Sequence, residues 1–134
     1  MPDSNNPLLA LANPGSSALP DFASLSPDHA EPAVDHLIGA AREAIDAALI
    51  HAAAPTWDTL IAPIEDSQDA IDRAFSPVAH MHAVMDSPEW RRAYQACVPK
   101  LTAFSSEVGQ NTALYQAVSR LHDSTAFAEL SPGR

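Results

Sequence analysis

Six histidines, one cysteine and a short run of carboxylates are the residues here that could do chemistry, so their spacing is read first. A helix-borne zinc site of the peptidase kind needs two histidines four apart on one face, with a glutamate beside the first to activate water. His29, His36, His51, His80, His82 and His122 do not supply it. None is followed by Glu, and His29-Ala30-Glu31 has the wrong order within a proline-rich stretch. His80-Met81-His82 is the tightest pair. Residues two apart on a helix point about 200° from each other and cannot share an ion, although on an irregular loop they could. The plainer reading gives one of the pair a polar packing role and leaves the other in solvent.

Cys97 falls on the apolar side of a helical pattern, and no His or Asn is marked as its partner, so a buried, inert thiol is expected rather than a nucleophile. Glu65, Asp66, Asp69 and Asp72 could be imagined as a cage for a divalent ion. They lack the glycine turn and alternating ligand spacing of a calcium loop, and they sit in a helical pattern beside Ile64 and Ile71. A solvated helix face is the expectation. Ser16, Ser17 and Ser26 have no nucleophile-elbow context, and Gly15 and Gly109 are isolated, so no phosphate cradle is offered. The residues themselves define no catalytic, metal-binding or cofactor-binding position.

The elements that would carry these residues are helical. Residues 1–25 hold Pro2, Pro7, Pro14 and Pro20 around Gly15, Ser16 and Ser17 and read as an extended arm, each proline excluding helix around itself. Leu8, Leu9, Leu11, Leu19 and Phe22 are apolar enough to dock part of it. Ser26-Pro27 is an N-cap and first helical residue, and Pro32 can open the main helix. Val34, Leu37, Ile38, Ala41, Ile45, Ala48, Leu49 and Ala52 then recur at spacings of three and four, an amphipathic face that Pro55 ends. Thr56 caps a second helix through Leu60, Ile61, Ile64, Ile71, Ala74 and Phe75. Ser76-Pro77 is expected to break or kink it, leaving Val78, Met81, Val84 and Met85 as a short helix. Ser87-Pro88-Glu89 starts the run Trp90, Ala93, Tyr94, Cys97, Val98, Leu101 and Phe104, which Pro99 should kink or split and Gly109 should stop. Asn111 caps the last helix, with Leu114, Tyr115, Val118 and Leu121 as its face and Phe127 and Leu130 as an extension. No segment alternates as a strand would. The expectation is an all-α antiparallel bundle of four to five helices over 26–134, preceded by the Pro-rich arm.

Composition narrows the function. A chain of 134 residues, 46% hydrophobic, can form one domain with an ordinary core. Seven basic residues against 17 acidic ones give a net charge of −10, and the longest basic run is Arg91-Arg92. That field repels phosphate backbones and anionic bilayers, so neither nucleic acid nor membrane is an expected partner. A single cysteine fits a reducing compartment, and neither a signal peptide nor a membrane-spanning stretch is visible, so the cytoplasm is expected.

Specific strings add what periodicity does not. Asn6-Pro7-Leu8-Leu9, Leu19-Pro20-Asp21-Phe22 and Pro27-x-His29-x-x-Pro32-Ala33 are followed by Thr56-Trp57-x-x-Leu60-x-x-Pro63 and Phe75-Ser76-Pro77-Val78-x-His80. Ser87-Pro88-Glu89, Arg91, Ala93-Tyr94, Pro99, Val108-Gly109-Gln110 and Leu114-Tyr115 complete the series. Each string is weak alone, but the ordered set covers nearly the whole chain and resembles the amino-terminal region of the thimet oligopeptidase family of zinc metallopeptidases. The resemblance implies a mostly helical parent enzyme that hydrolyses short peptides in a deep channel. Its zinc helix, with His-Glu-x-x-His and a later Glu ligand, would lie far downstream. It therefore implies no site residue in this sequence, no zinc bound here, inactivity of this chain alone, and the rest of the peptidase as partner. The matched region would form part of a channel wall. The abrupt close at Ser131-Pro132-Gly133-Arg134 reads as truncation. The competing expectation is a stand-alone helical interaction module without enzymatic activity.

Overall fold

A computed structural model describes residues 5–13 and 19–130. The readings placed on Pro2, on Pro14 to Ser17 and on the closing Ser131 to Arg134 lie outside those residues. The described residues are helical, with no strand among them. The α-helices are α1 (Pro7–Leu11), α2 (Ala30–Leu49), α3 (Ala62–Met85), α4 (Pro88–Gly109), α5 (Thr112–His122) and α6 (Thr125–Ala128). Four of them are long, and α1 and α6 are single turns.

The starts follow from side chains that satisfy orphan amides. Ser26 opens a 3-10 turn over Pro27–His29 that leads into α2, and its hydroxyl accepts from the Asp28 amide while His29 Nδ1 accepts from the Ser26 amide. The Thr56 hydroxyl accepts from the Thr59 amide and starts a π-turn over Trp57–Ile61 that continues as α3. Ser87 starts α4 by accepting from the Trp90 amide, Asn111 starts α5 by accepting from the Leu114 amide, and Ser124 starts α6. Between α3 and α4, Asp86 takes a left-handed conformation, φ 41°, which Asp tolerates better than most residues, and its carboxylate meets Arg91 at 2.8 Å.

The buried face of α2 organises the rest. Ala30, Ala33, Val34, Ile38, Ala41, Ile45 and Ala48 are all buried, while His36, Arg42, Glu43 and Asp46 stay exposed, as the periodicity requires. Helix α3 brings Ile71, Ala74, Val78 and Met81 against this core, and α4 brings Trp90, Cys97 and Phe104, each seven residues after the last. A second cluster of Leu60, Leu114, Ala117 and Leu121 gathers around Ala48 and seats α5 at the carboxyl end of α2.

At two prolines the expected break or split does not occur. Helix α3 runs unbroken through Pro77, and α4 runs unbroken through Pro99. Proline inside a helix costs roughly 3 kcal/mol through its missing N–H and its clash with the carbonyl four residues back. At Pro77 the ring is buried in the core. Packing both halves of α3 on one face of α2 offsets the local penalty. Pro99 is exposed, so the carbonyl it leaves free, at exposed Gln95, can bond to water.

The arm also contributes a helical turn. Pro7 serves as a first helical residue of α1, where its absent N–H costs nothing. Leu8 is fully buried and Asn6 is 5% exposed. The Asn6 side chain accepts from the Leu8 amide at 3.0 Å and donates to the His29 carbonyl at 2.9 Å, tying α1 to the start of α2. At the other end Phe127 and Leu130 do not prolong α5; a turn at Asp123 and Ser124 intervenes and α6 is separate.

Gly39 lies in the middle of α2, and a Cβ built there meets nothing within 4 Å. Gly39→Ala is therefore expected to stabilise the chain by about 0.5–1 kcal/mol, read as a higher urea midpoint at unchanged slope. Asn6→Ala removes the cap on the Leu8 amide and the bond that ties α1 to the His29 carbonyl. It is expected to cost about 1–2 kcal/mol and to speed proteolytic cleavage near residue 13 before the core melts.

Candidate functional site

The chemistry-bearing side chains are dispersed by the helices that carry them. His80 is exposed with its ring 5.0 Å from Phe22, whereas His82 is half-buried and stacked on Tyr94 at 4.2 Å, 11° from parallel. The pair therefore diverges on α3 as helix geometry demands, one histidine packing between helices and the other facing outward. Tyr94 also stacks on Phe75 at 5.6 Å, so an aromatic ladder joins α3 to α4 at this end. His29 is occupied in the cap of Ser26. His36 and His51 are exposed, and His122 lies beside Asp123 and against the Phe127 ring. Among the described residues no three of His, Cys, Asp or Glu converge as ligands for a metal ion.

The acidic run faces solvent. Glu65, Asp66, Asp69 and Asp72 are exposed on α3, Asp69 pairs with Arg73 at 2.7 Å, and Asp72 accepts from Gln68 at 3.2 Å. These local bonds are those of a solvated helix face. Stronger pairing crosses from α2 to α4. Lys100 reaches Asp35 at 2.7 Å and Glu31 at 2.8 Å, and these two bonds raise its pKa to about 12. Two turns of α2 further on, the Arg42 guanidinium holds Glu107 with three hydrogen bonds, which raise the pKa of Arg42, and lies 5.8 Å from the centre of the Phe104 ring. The Asp86 carboxyl is held below the usual range by its bond to Arg91.

Cys97 is fully buried, and burial, aided by the charges of Glu31 and Asp35 against the opposing Lys100, pushes its pKa up to about 11. A thiol in that setting is a packing group. The concavities are grooves between helices. One of about 340 Å³ separates α3 from α4 and is lined by Ile71, Phe75, Leu101 and Phe104 with a polar rim of Gln68, Asp72, Thr102 and Ser105. Next to it a cleft of about 70 Å³ reaches down to Ala41 and Ile45 of α2. No histidine lines either groove, and Cys97 lines neither.

Fold and side-chain placement together define an all-α helical bundle whose described polar side chains are engaged mainly in helix caps and interhelical pairs. The family profile for the neurolysin/thimet oligopeptidase N-terminal domain matches residues 34–134, and the chain belongs to that family. It is similar to oligopeptidase A of Salmonella typhimurium, 36% identical over 126 residues covering 94% of this chain. It is also similar to oligopeptidase A of Haemophilus influenzae, 39% identical over 127 residues covering 95% of the chain. The Escherichia coli oligopeptidase A is 37% identical over 113 residues, 84% of the chain. The chain spans about 18% of the length of the first two relatives and 17% of the third. No solved structure matches the chain. Among the described residues no helix is long and apolar enough to cross a membrane.

The raised pKa sets a sign for Cys97. The folded state keeps its proton above the ordinary value of 9.0, while the unfolded state loses it first. The unfolded state then binds fewer protons, so stability is expected to fall as pH rises from 9 towards 11. Cys97→Ala should flatten that decline in urea titrations. At pH 8 the native thiol is expected to react with a thiol reagent at least about a hundredfold more slowly than the urea-unfolded chain.

Proposed function

We propose that this chain is the amino-terminal helical segment of a cytoplasmic zinc oligopeptidase that hydrolyses short peptides, in which it builds part of the wall enclosing the active-site channel. The observation that carries this reading is the family match over 34–134, joined to 36–39% identity with oligopeptidase A across most of the chain. The placement of side chains supports it. A wall segment needs a rigid fold, and the histidines, the thiol and the carboxylates serve that rigidity or face solvent. The described residues do not fit a zinc ion, since no three potential ligands converge. In this reading the metal belongs to another part of the enzyme, and no step of hydrolysis passes through these residues. Selection for short peptides is then a matter of steric enclosure, to which this segment contributes surface rather than reacting groups.

Two measurements test the proposal. The native product in the source cells, captured with an antibody to residues 56–75, is expected to be several times heavier than 14.2 kDa. A product of 14.2 kDa would overturn the reading and leave a stand-alone helical module. The purified 134-residue chain is expected not to cleave a quenched fluorescent peptide. Cleavage that a chelator abolishes would place the peptidase site within this chain and overturn the assignment of wall.

A further inference from the structure

Helix α5 is more apolar than the bundle uses. Its buried residues are Leu114, Ala117 and Leu121. The sequence pattern also placed Tyr115 and Val118 on the packed face, but Tyr115 is 72% exposed and Val118 40%. Tyr115, Val118 and His122 are spaced three and four apart and so form a stripe of their own. Phe127 of α6, 38% exposed, lies with its ring 4.7 Å from that of His122 and lengthens the stripe. At about 100° per residue, the apolar arc from Ala117 round to Tyr115 covers roughly 160°, wider than one contact needs. The chain fills the Ala117–Leu114 side of the arc and leaves the Tyr115–Val118 side in water.

We infer that the Tyr115–Val118–Phe127 face is a docking surface for the downstream part of the same polypeptide, an inference that rests on the proposed function above. Three observations choose this occupant. The relatives that the chain matches are more than five times as long as the region it spans, so most of their structure has yet to be packed against it. The face lies on the last two helices of the fold, so a continuing chain reaches it over a short tether. The patch is also too small for a free partner. Its exposed area is on the order of 300 Å², against about 800 Å² per side in a stable complex. A small surface suffices when the partner is covalently attached, because the effective concentration of a short tether reaches the millimolar range. A second copy of this chain is disfavoured further by its net charge of −10, which repels an identical molecule.

Photo-crosslinking in the native gene product tests the inference. Benzoylphenylalanine is placed at Tyr115, at Val118 and, as reference, at exposed Gln116 on the polar side of the same helix. Irradiation in the source cells is followed by peptide mapping. The expected result is intramolecular crosslinks from 115 and 118 to residues beyond 134, at least tenfold more abundant than from 116. Crosslinks from 115 and 118 no more abundant than from 116, or leading to a second copy or to another protein, would overturn the inference. The mass of the uncrosslinked product is read on the same gel. A heavy product with the wrong crosslinks defeats only this surface, whereas a product of 14.2 kDa defeats the proposed function itself.

Discussion

The buried stripe of α2 is the constraint on which the remaining helices depend. It alternates Ala30, Ala33, Ala41 and Ala48 with Val34, Ile38 and Ile45, so short side chains leave room where long ones from α3 and α4 must enter. Interior packing at crystal-like density rewards that complementarity and penalises its loss by cavity formation. Few large anchors are then needed: Trp90 and Phe104 of α4, with Leu8 of α1, close a core whose other members are alanine, valine or isoleucine together with Met81 and Cys97. The same economy explains the thiol, since Cys97 fills a site where α4 comes close to the charged pairs of α2 without being able to reach water.

Charge is distributed unevenly over this frame. Seven cations serve 17 acids, and most of the described ones are committed to named partners. Arg42 and Lys100 tie α2 to α4, Arg91 braces the turn at Asp86, and Arg120 donates to the Ala52 carbonyl, fixing α5 over the end of α2. The acids of the 65–72 run face solvent, and among the described residues no three of His, Cys, Asp or Glu converge. Of the histidines, His29 joins a helix cap, and His80, His82 and His122 lie against aromatic rings.

Much of the fold was legible because caps and periodicity are local. Thr56, Ser87 and Asn111 start helices where their side chains can reach an amide, and the α2 face follows from spacing alone. The readings that failed were those decided by tertiary contact. Ser76-Pro77 was expected to break or kink the chain, but with its ring buried α3 continues through Pro77; at Pro99 the carbonyl left without its helical donor belongs to exposed Gln95. Tyr115 and Val118 were placed with Leu114 and Leu121 because a helical pattern records how wide an apolar arc is, not how much of it the same chain covers. The dispersal of the histidines was legible from the spacing of His80 and His82 on one helix, whereas the grooves beside Phe75 and Phe104 depend on how far α3 and α4 splay and leave no mark in either sequence segment.

The two seams of the bundle differ in kind. Helix α3 meets α2 through aliphatic side chains, while α4 meets it through a thinner apolar row flanked by the Lys100 and Arg42 pairs, which stand half in water. Ions screen the second kind of contact and, in the case of strongly hydrated salts, strengthen the first. The molecule thus resembles a book whose spine is glued along one cover and magnetically clasped along the other. Ionic strength therefore acts on the charged border of the α2–α4 seam and leaves the aliphatic α2–α3 seam to packing.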